Sequence, residues 1–277
     1  MFPALLAAGF LVRLFMIQHD CGHGAFFRRR RINDWIGRAI SVLTLTPYDS
    51  WRQAHAVHHA SSGHLERRGV GDIDTLTVRE YRALNPWGRL RYRLYRHPVV
   101  LFGIGPAFVF VLQHRLPHSV TRNRNQAWFN AMATNLATAL VVATVIWFTG
   151  LETFLMVQVP ITLLAASIGV WLFYVQHQFE GTYWAESQNW DLHEAALNGS
   201  SHYDLPLPLR WLTANIGMHH LSSRIPYYRL PRVLRDHPDL KSVGRVTLWQ
   251  SFGCVRLTLW CETTRRLISF REARAQG

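Results

Sequence analysis

The sequence predicts an all-α integral membrane protein with transmembrane helices, helices lying in the membrane interface and a cytoplasmic, histidine-rich cap. Three observations predict this fold class. Of the 277 residues, 49% are hydrophobic and only 17% are charged, whereas about 25% is usual for a soluble domain. Two apolar stretches are long enough to cross a bilayer. The formal net charge is +13, which is typical of cationic cytoplasmic loops or of a nucleic-acid-binding protein. The apolar content excludes an intrinsically disordered chain.

The two longest apolar stretches, residues 129–149 and 151–176, predict a transmembrane helical hairpin. About 20 helical residues cross a hydrocarbon core of about 30 Å. Only Gly150 separates the two stretches, and Pro160 lies inside the second, where a membrane helix tolerates it. A buried helical pair in a soluble core is the alternative, but the stretches are too long and too free of charge for it.

Three shorter apolar runs are predicted to touch the membrane in other ways. Residues 1–17 are interrupted only by Arg13 and reach roughly 25 Å as a helix, barely a span. Residues 35–48 and 99–113 suit interfacial or re-entrant helices better than full spans. No run of membrane length follows Phe179, so the rest of the chain is predicted to form the cytoplasmic cap. We expect one domain over residues 1–277.

Arginines predict the orientation of this domain. Four consecutive arginines, residues 28–31, follow the first apolar run, and further arginines continue to Arg96. The positive-inside rule places this region, and the histidines near it, in the cytoplasm. Arginines alternate with aromatic residues such as Trp87 and Tyr92, which is also a nucleic-acid footprint. Beside membrane segments, a helix lying against anionic lipid headgroups is the favoured interpretation, and we expect no nucleic-acid partner.

Eight of the fifteen histidines lie beside the predicted membrane segments. Spacings of three or four residues bring side chains onto one face of a helix. The histidines form three clusters and one single position: His19 and His23; His55, His58 and His59; His219 and His220; and His177.

This inventory of imidazoles predicts a site for two metal ions. Neutral imidazole is a common ligand of iron, copper, nickel and zinc, and eight ligands exceed the four of a single zinc site. Two irons, each with several imidazoles and open positions for oxygen, are the favoured content. The sequence contains neither HExxH nor GxSxG, the patterns of zinc proteases and serine hydrolases. A shared site requires that residues 35–48 and 99–113 do not cross the membrane.

The histidine motifs resemble those of the membrane fatty acid desaturases, of the acyl-lipid Δ12 and ω-3 type. The motifs are QHDCGHGAFF around His19, WRQAHAVHH ending at His59 and HHLSSRIPYYRL beginning at His219, together with GDIDTLT, QHQFEGTYW and GSSHYDLP. The resemblance implies a histidine-ligated diiron centre, dioxygen as co-substrate, an acyl lipid in the bilayer as substrate, and a separate electron donor of the ferredoxin or cytochrome b5 type. The implied reaction removes two hydrogens from an acyl chain and yields a cis double bond and water.

Two departures from this family pattern matter. The third box usually reads H-x-x-H-H, but here Met218 directly precedes His219, and Ile216 occupies the position three residues before it. One expected ligand therefore has no counterpart, and spacing does not decide whether His202 or Asn215 replaces it. The family also begins with a transmembrane hairpin, of which only the second helix has a counterpart in the chain.

Three alternatives stay open beside the desaturase. One is a related diiron lipid hydroxylase or ketolase, and another is a degenerate desaturase with reduced or no activity because a third-box histidine is missing. A basic module that binds nucleic acid or headgroups is the third.

A metal-bound imidazole usually donates its other N–H to a carboxylate or a carbonyl. Candidate carboxylates are Asp20, Asp72, Asp74, Glu180, Asp191 and Glu194. The histidines without cluster spacing are predicted to lie mostly at the surface or against headgroups: His64, His97, His114, His118, His193, His202 and His237.

Overall fold

The computed structural model describes residues 2–117, 123–213, 219–241 and 243–276. The chain divides into two units, one of Met1–His55 and Phe102–Val170, the other of Ala56–Leu101 and Trp171–Gly277. The helices are α1 (Phe2–His23), α2 (Arg30–Leu43), α3 (Tyr48–Ser61), α4 (Val78–Ala83), α5 (Pro86–Tyr95), α6 (Val100–Arg115), α7 (Arg124–Thr149), α8 (Leu151–His177), α9 (Leu192–Asn198), α10 (Leu207–Thr213), α11 (Leu230–Asp236), α12 (Leu248–Cys254) and α13 (Phe270–Ala275). Short 3₁₀ turns lie at Leu65–Arg67, Tyr227–Arg229 and Pro238–Lys241.

The predicted hairpin is confirmed as α7 and α8. Gly150 joins the two helices with a φ of 81°, a left-handed backbone conformation that glycine adopts without a steric penalty. Helix α7 begins five residues earlier than its apolar stretch, because the Asn123 side chain caps the helix by accepting a hydrogen bond from the backbone N–H of Gln126. Pro160 lies inside α8.

Among the described residues, three helices are long and apolar enough to cross a membrane: α1, α7 and α8. The number becomes four if α5 and α6, which are bent by 57° at the break between them, count as one span. Helix α6 contains π-helical segments at Val100–Ile104 and Phe108–Leu112. The chain is a membrane protein of largely helical structure.

Helix α1 is longer than the predicted run. It continues through the first histidine motif to His23, so its 22 residues reach about 33 Å, enough for a full span. Gly24, with a φ of 70°, follows the helix. The apolar run ends at Ile17 although the helix continues. The last turns of α1 carry polar side chains, among them Gln18 and Asp20, and these are buried in the protein.

The predicted helix over residues 35–48 is present as α2, but it begins at Arg30 and ends five residues before the predicted end. Helix α2 ends at Leu43 and α3 begins at Tyr48. Leu45 between them has a φ of 55°, and Pro47 cannot donate a helical hydrogen bond. The buried residues of α2 are small or polar, whereas Trp35 and other large apolar side chains of this helix are exposed.

Buried polar side chains hold the first unit together where these three helices meet. Gln18 of α1 donates to the carbonyl of Thr46 at 3.1 Å and accepts from the Thr44 hydroxyl at 2.6 Å. The Tyr48 hydroxyl lies 2.8 Å from the carbonyl of Cys21. These contacts connect the end of α1, which carries His19 and His23, to the start of α3.

The second unit contains two small sheets that the all-helical prediction did not include. Strand β1 (Leu76–Thr77) pairs in parallel with β4 (Leu259–Cys261), which pairs antiparallel with β5 (Arg266–Ile268). Strand β2 (His202–Asp204) pairs in parallel with β3 (Arg245–Thr247), and His202 lies opposite Arg245. Leu259 and Ile268 are fully buried in an apolar core with Tyr81 and Tyr92.

Short helices, three of which have a capping side chain, make up the described helical part of the chain after His177. Capping boxes begin α12 and α13, in which Thr247 pairs with Gln250 and Ser269 with Glu272. Each described helix after α8 has six or seven residues. No described helix in this part of the chain reaches membrane length, in agreement with the sequence, and its cytoplasmic location stays a prediction.

Candidate metal centre

Three imidazoles converge in the first unit. His19 and His23 lie one turn apart on α1, and His55 lies on α3. The Nε2 atom of His55 lies 3.0 Å from Nε2 of His19 and 3.0 Å from Nε2 of His23. The indole of Trp51 stacks on the His55 ring with 4.6 Å between centroids. The side chains of two helices thus direct three ring nitrogens to one place.

The carboxylate of Asp20 orients His19. Its Oδ1 atom lies 3.1 Å from Nδ1 of His19, and both side chains are buried. A carboxylate only accepts hydrogen bonds, so the proton is assigned to Nδ1 and the lone pair of Nε2 faces the other imidazoles. This is the arrangement that a metal-bound histidine requires.

A second group lies wholly in the second unit. His58 of α3, His177 at the end of α8 and His220 each offer a ring nitrogen, and these atoms lie within 4.8 Å of one another. The Nε2 atoms of His58 and His177 are 3.2 Å apart. His58 and His177 are 1% and 7% exposed, so water has little access to the place where they meet.

Acceptor groups hold the far side of two of these rings. Nδ1 of His58 lies 2.5 Å from Oδ1 of Asp72, and Nδ1 of His177 lies 3.0 Å from the carbonyl oxygen of Gly199. Each Nδ1 is therefore assigned the proton, and each Nε2 presents a lone pair. Two lone pairs facing each other repel, whereas a cation between them binds both.

His220 fits the same interpretation. Its Nε2 atom is buried and has no hydrogen-bond partner among the described residues. Burial and the neighbouring rings of His219 and His59 hold the pKa of His220 well below its ordinary value, so the ring is neutral at physiological pH. A buried neutral imidazole with an unpartnered nitrogen is suited to bind a metal ion.

His59 and His219 form a close pair in the second unit. Their Nε2 atoms are 2.9 Å apart, and the ring of His59 stacks on that of His220 at 4.1 Å. His219 is 4% exposed. Every predicted ligand therefore lies beside at least one other imidazole of its own unit, and their role as ligands stays a prediction.

Two of the six candidate carboxylates contact a predicted ligand. These are Asp20 on His19 and Asp72 on His58. Among the others, Asp191 caps α9 by accepting from the backbone N–H groups of His193 and Glu194 at 2.8 and 2.9 Å. The remaining three contact other residues: Glu180 pairs with Arg266, Glu194 accepts from Asn198, and Asp74 donates its backbone N–H to the Tyr95 hydroxyl.

The prediction that the isolated histidines lie at the surface is wrong for two of them. His64 and His202 are 4% and 6% exposed. His64 packs against the end of α3, where its Nδ1 lies 3.2 Å from Glu66, and His202 lies on β2. His202 is not part of either histidine group, and Asn215, Ile216 and Met218 of the third box lie outside the described residues, as does His118.

Sequence reasoning missed the carbonyl of Gly199 and the stacking of Trp51 on His55. No spacing rule connects Gly199 to His177, because the contact depends on how the chain returns after α8. Trp51, by contrast, lies four residues before His55 in α3, and this spacing would have predicted a contact on one helix face.

Helices of membrane length together with two convergent groups of imidazoles define a membrane protein with candidate metal-binding side chains. Residues 1–250 match the sequence profile described as fatty acid desaturase. The chain is 44% identical over 270 residues to a fatty acid desaturase of Bacillus subtilis (strain 168), a match that covers 96% of the chain and 76% of that protein. The chain belongs to the fatty acid desaturase family, whose members are oxidoreductases of lipid metabolism.

More distant relatives carry more specific names. The sn-1 oleoyl-lipid 12-desaturase of Synechocystis sp. is 30% identical over 233 residues, covering 79% of the chain and 63% of that protein. The sn-1 acyl-lipid omega-3 desaturase (ferredoxin) of the same organism is 25% identical over 257 residues, covering 86% and 68%. The chain thus spans about two thirds of the length of these two relatives.

Proposed function

We propose that the protein is a membrane-bound, dioxygen-dependent acyl-lipid desaturase that introduces a cis double bond into an acyl chain. The facing Nε2 atoms of His58 and His177, 3.2 Å apart with both Nδ1 atoms held by acceptors, are the observation that carries this proposal. That arrangement is unfavourable for the imidazoles alone and favourable around a cation. Family membership then selects the chemistry.

The proposed ligands of two irons are the eight clustered histidines. His19, His23 and His55 form the group of the first unit, and His58, His177 and His220 form that of the second, with His59 and His219 beside it. Helix α3 supplies a member to each group. Bound iron, with dioxygen, supplies the oxidising chemistry that a saturated C–H bond requires, because such a bond offers no handle to acids or bases.

The protein's own groups prepare this site in three ways. Burial keeps the imidazole of His220 neutral, because it holds the pKa of this ring well below its ordinary value, and therefore able to bind metal. Asp20, Asp72 and the Gly199 carbonyl fix the tautomer and the rotation of three rings. Large apolar side chains exclude bulk water, as Phe173 does beside the His58 and His177 rings at 5.4 and 5.1 Å.

We further propose that the substrate enters from the bilayer. An acyl chain is itself apolar, and α1, α7 and α8 are long enough to meet it at membrane depth. The exposed arginines at residues 28–31 favour a cytoplasmic location of the histidines under the positive-inside rule. Two electrons from a separate donor of the ferredoxin or cytochrome b5 type, two protons and two acyl hydrogens would reduce one dioxygen to two waters.

Expression in a bacterial host with a simple fatty-acid profile tests the proposal. Gas chromatography with mass spectrometry of the lipids, and iron analysis of the purified chain, are the two measurements. A new cis-unsaturated acid and about two irons per chain are expected. His58→Ala should abolish both, and His193→Ala, at an exposed position, should change neither.

Other outcomes separate the alternatives. A hydroxylated lipid would replace the desaturase with a related diiron hydroxylase. An unchanged profile from well-expressed, iron-free protein would contradict the proposal and identify a degenerate desaturase. Insertion of a histidine-bearing tripeptide before His219 would then show whether the short third box is the cause.

A further inference from the structure

A small cavity lies beside the histidine group of the second unit. Its lining includes Asp72, His177, Thr182 and Trp184, and it has room for about one water molecule. His177 is a proposed ligand in this group. Asp72 supports the group, because its carboxylate contacts His58. The cavity therefore borders the far side of the ligands, away from the place where their Nε2 atoms meet.

Three polar atoms on the lining residues are buried and have no hydrogen-bond partner within the part of the chain that the structure describes. They are Oδ2 of Asp72, Oγ1 of Thr182 and Nε1 of Trp184. The Asp72 side chain is 7% exposed, Thr182 is 4% exposed and Trp184 is 8% exposed. Buried polar groups are nearly always paired, with protein or with ordered water, so three unpaired atoms around one cavity point to a ligand.

The chemistry of the three atoms selects the class of ligand. The indole Nε1 only donates, the carboxylate Oδ2 only accepts, and the hydroxyl does both. A metal cation would be repelled by the indole N–H, and an anion would be repelled by the carboxylate. A water molecule accepts from the indole, donates to the carboxylate and bonds to the hydroxyl in either sense.

We propose that this cavity binds a water molecule that fixes the Asp72 carboxylate and, through it, the ring of His58. Thr182 and Trp184 are then positioning residues for the proposed metal centre, on which this inference rests. Packing among Leu65, Trp260 and Leu267 holds the Trp184 indole in place. The backbone N–H of Thr182 donates to the Phe179 carbonyl at 3.2 Å and fixes the turn that follows α8.

Two conservative variants of the full-length protein test this role. Trp184→Phe removes the N–H and keeps most of the packing, and Thr182→Val removes the hydroxyl at nearly constant volume. The matched control is Thr258→Val, because the Thr258 hydroxyl is also buried and unpartnered but does not line the cavity. Loss of a direct partner of a metal-bound histidine costs about 10- to 100-fold in metal affinity.

These partners act one step further away, so we expect Fe(II) to dissociate into a chelator roughly threefold or more faster from both variants. Thr258→Val should match the wild type. Equal dissociation rates for wild type, Trp184→Phe and Thr182→Val would overturn the positioning role.

A measurement on the metal-free protein keeps this test separate from the proposed function. With ¹⁵N-labelled tryptophan, the Trp184 indole resonance is assigned from its loss in Trp184→Phe. We expect a magnetisation-transfer peak between this N–H and a bound water, weakened by Thr182→Val but not by Thr258→Val. A wild type that shows this peak but binds no added Fe(II) would refute the metal centre and keep the water site, whereas absence of the peak would refute the water site.

Discussion

Arg96 lies with its guanidinium carbon 5.4 Å above the centre of the Tyr174 ring, and its Nη2 atom donates to the Tyr174 hydroxyl at 3.1 Å. Arg96 is 2% exposed, and it also donates to neutral oxygens of Asp74, Thr75, Gln178 and Leu257. The guanidinium thus connects the end of α8 to two loops of the second unit. His177 lies three residues after Tyr174, so the same contacts position a proposed ligand.

Replacement of Arg96 by Met should lower the free energy of unfolding by about 3 kcal/mol or more. The reason is that five oxygens lose a hydrogen bond from a charged donor, at about 1.5–3 kcal/mol for each such bond. Thermal unfolding of the purified protein in detergent measures the effect. Arg91→Met, at an exposed position of α5, is the control and should change the midpoint little. Similar midpoints for both variants would show that Arg96 is dispensable.

Asp72→Asn should weaken iron binding by about 10- to 100-fold, the usual effect of losing the carboxylate behind a metal-bound histidine. An amide no longer favours one tautomer of His58 as a carboxylate does. Competition for Fe(II) with a chelator of known affinity measures the change. Asp74→Asn, two residues along the same loop, is the control, since its side chain is exposed. The prediction is wrong if the two variants bind iron equally well.

Gly37→Ala should destabilise the protein by about 1–3 kcal/mol, as overpacking of a close contact usually does. A Cβ atom at Gly37 would approach the Tyr48 ring to within 2.2 Å, and Tyr48 is 1% exposed. Chemical unfolding followed by tryptophan fluorescence is a suitable measurement. Gly169→Ala in α8 meets no atom within 4 Å and should be neutral, or stabilising by up to about 1 kcal/mol. Equal stability of both variants would mean that α2 moves away from Tyr48 at little cost.

His202 should make the metal-free protein less stable in mild acid. Burial holds the pKa of this histidine below its ordinary value; the nearby Arg210 and Arg245 act in the same direction, and Asp204 opposes them. The unfolded chain therefore binds a proton near pH 6.5 that the folded chain does not bind, and stability falls as the pH drops below that value. The loss reaches at most about 1.4 kcal/mol for each pH unit.

Unfolding midpoints at pH 7.5 and pH 5.5 measure this dependence. His202→Gln should reduce the difference between the two midpoints, because glutamine does not titrate. The exposed His237→Gln should leave the difference as it is in the wild type. An unchanged difference in His202→Gln would show that His202 does not contribute to the acid sensitivity.

Local patterns predicted the helices of membrane length and part of the arrangement of the histidines. The α7–α8 hairpin was visible because length and apolar composition are properties of the segment itself. The pairing of His19 with His23 follows from helical spacing. The grouping of His55 with these two, and of His58 with His177, does not follow from it. The two small sheets were not visible, because strands of two or three residues carry no readable alternation.

Contacts between distant segments set the rest of the site and lay beyond sequence reasoning. Six carboxylates were candidates for supporting a ligand, and only the path of the loop after α3 brings Asp72, and not Asp74, to His58. The Gly199 carbonyl reaches His177 because the backbone N–H of Ser201 bonds to the carbonyl of Gln176 at 2.7 Å and returns that segment to the end of α8.

Removal of metal should destabilise the protein, because the Nε2 lone pairs of His58 and His177 then face each other without a cation between them. With free Fe(II) at about 100 times its Kd, the bound form gains about 2.7 kcal/mol over the metal-free form, so the wild type should unfold at a lower temperature after chelation. His177→Phe removes one of the two facing lone pairs. Compared with the wild type in the same metal state, the variant should therefore lose less stability without metal than with Fe(II). Differential scanning fluorimetry with and without Fe(II) measures both midpoints. His193→Ala at the surface should keep the full wild-type response, whereas a full response in His177→Phe would exclude His177 as a ligand.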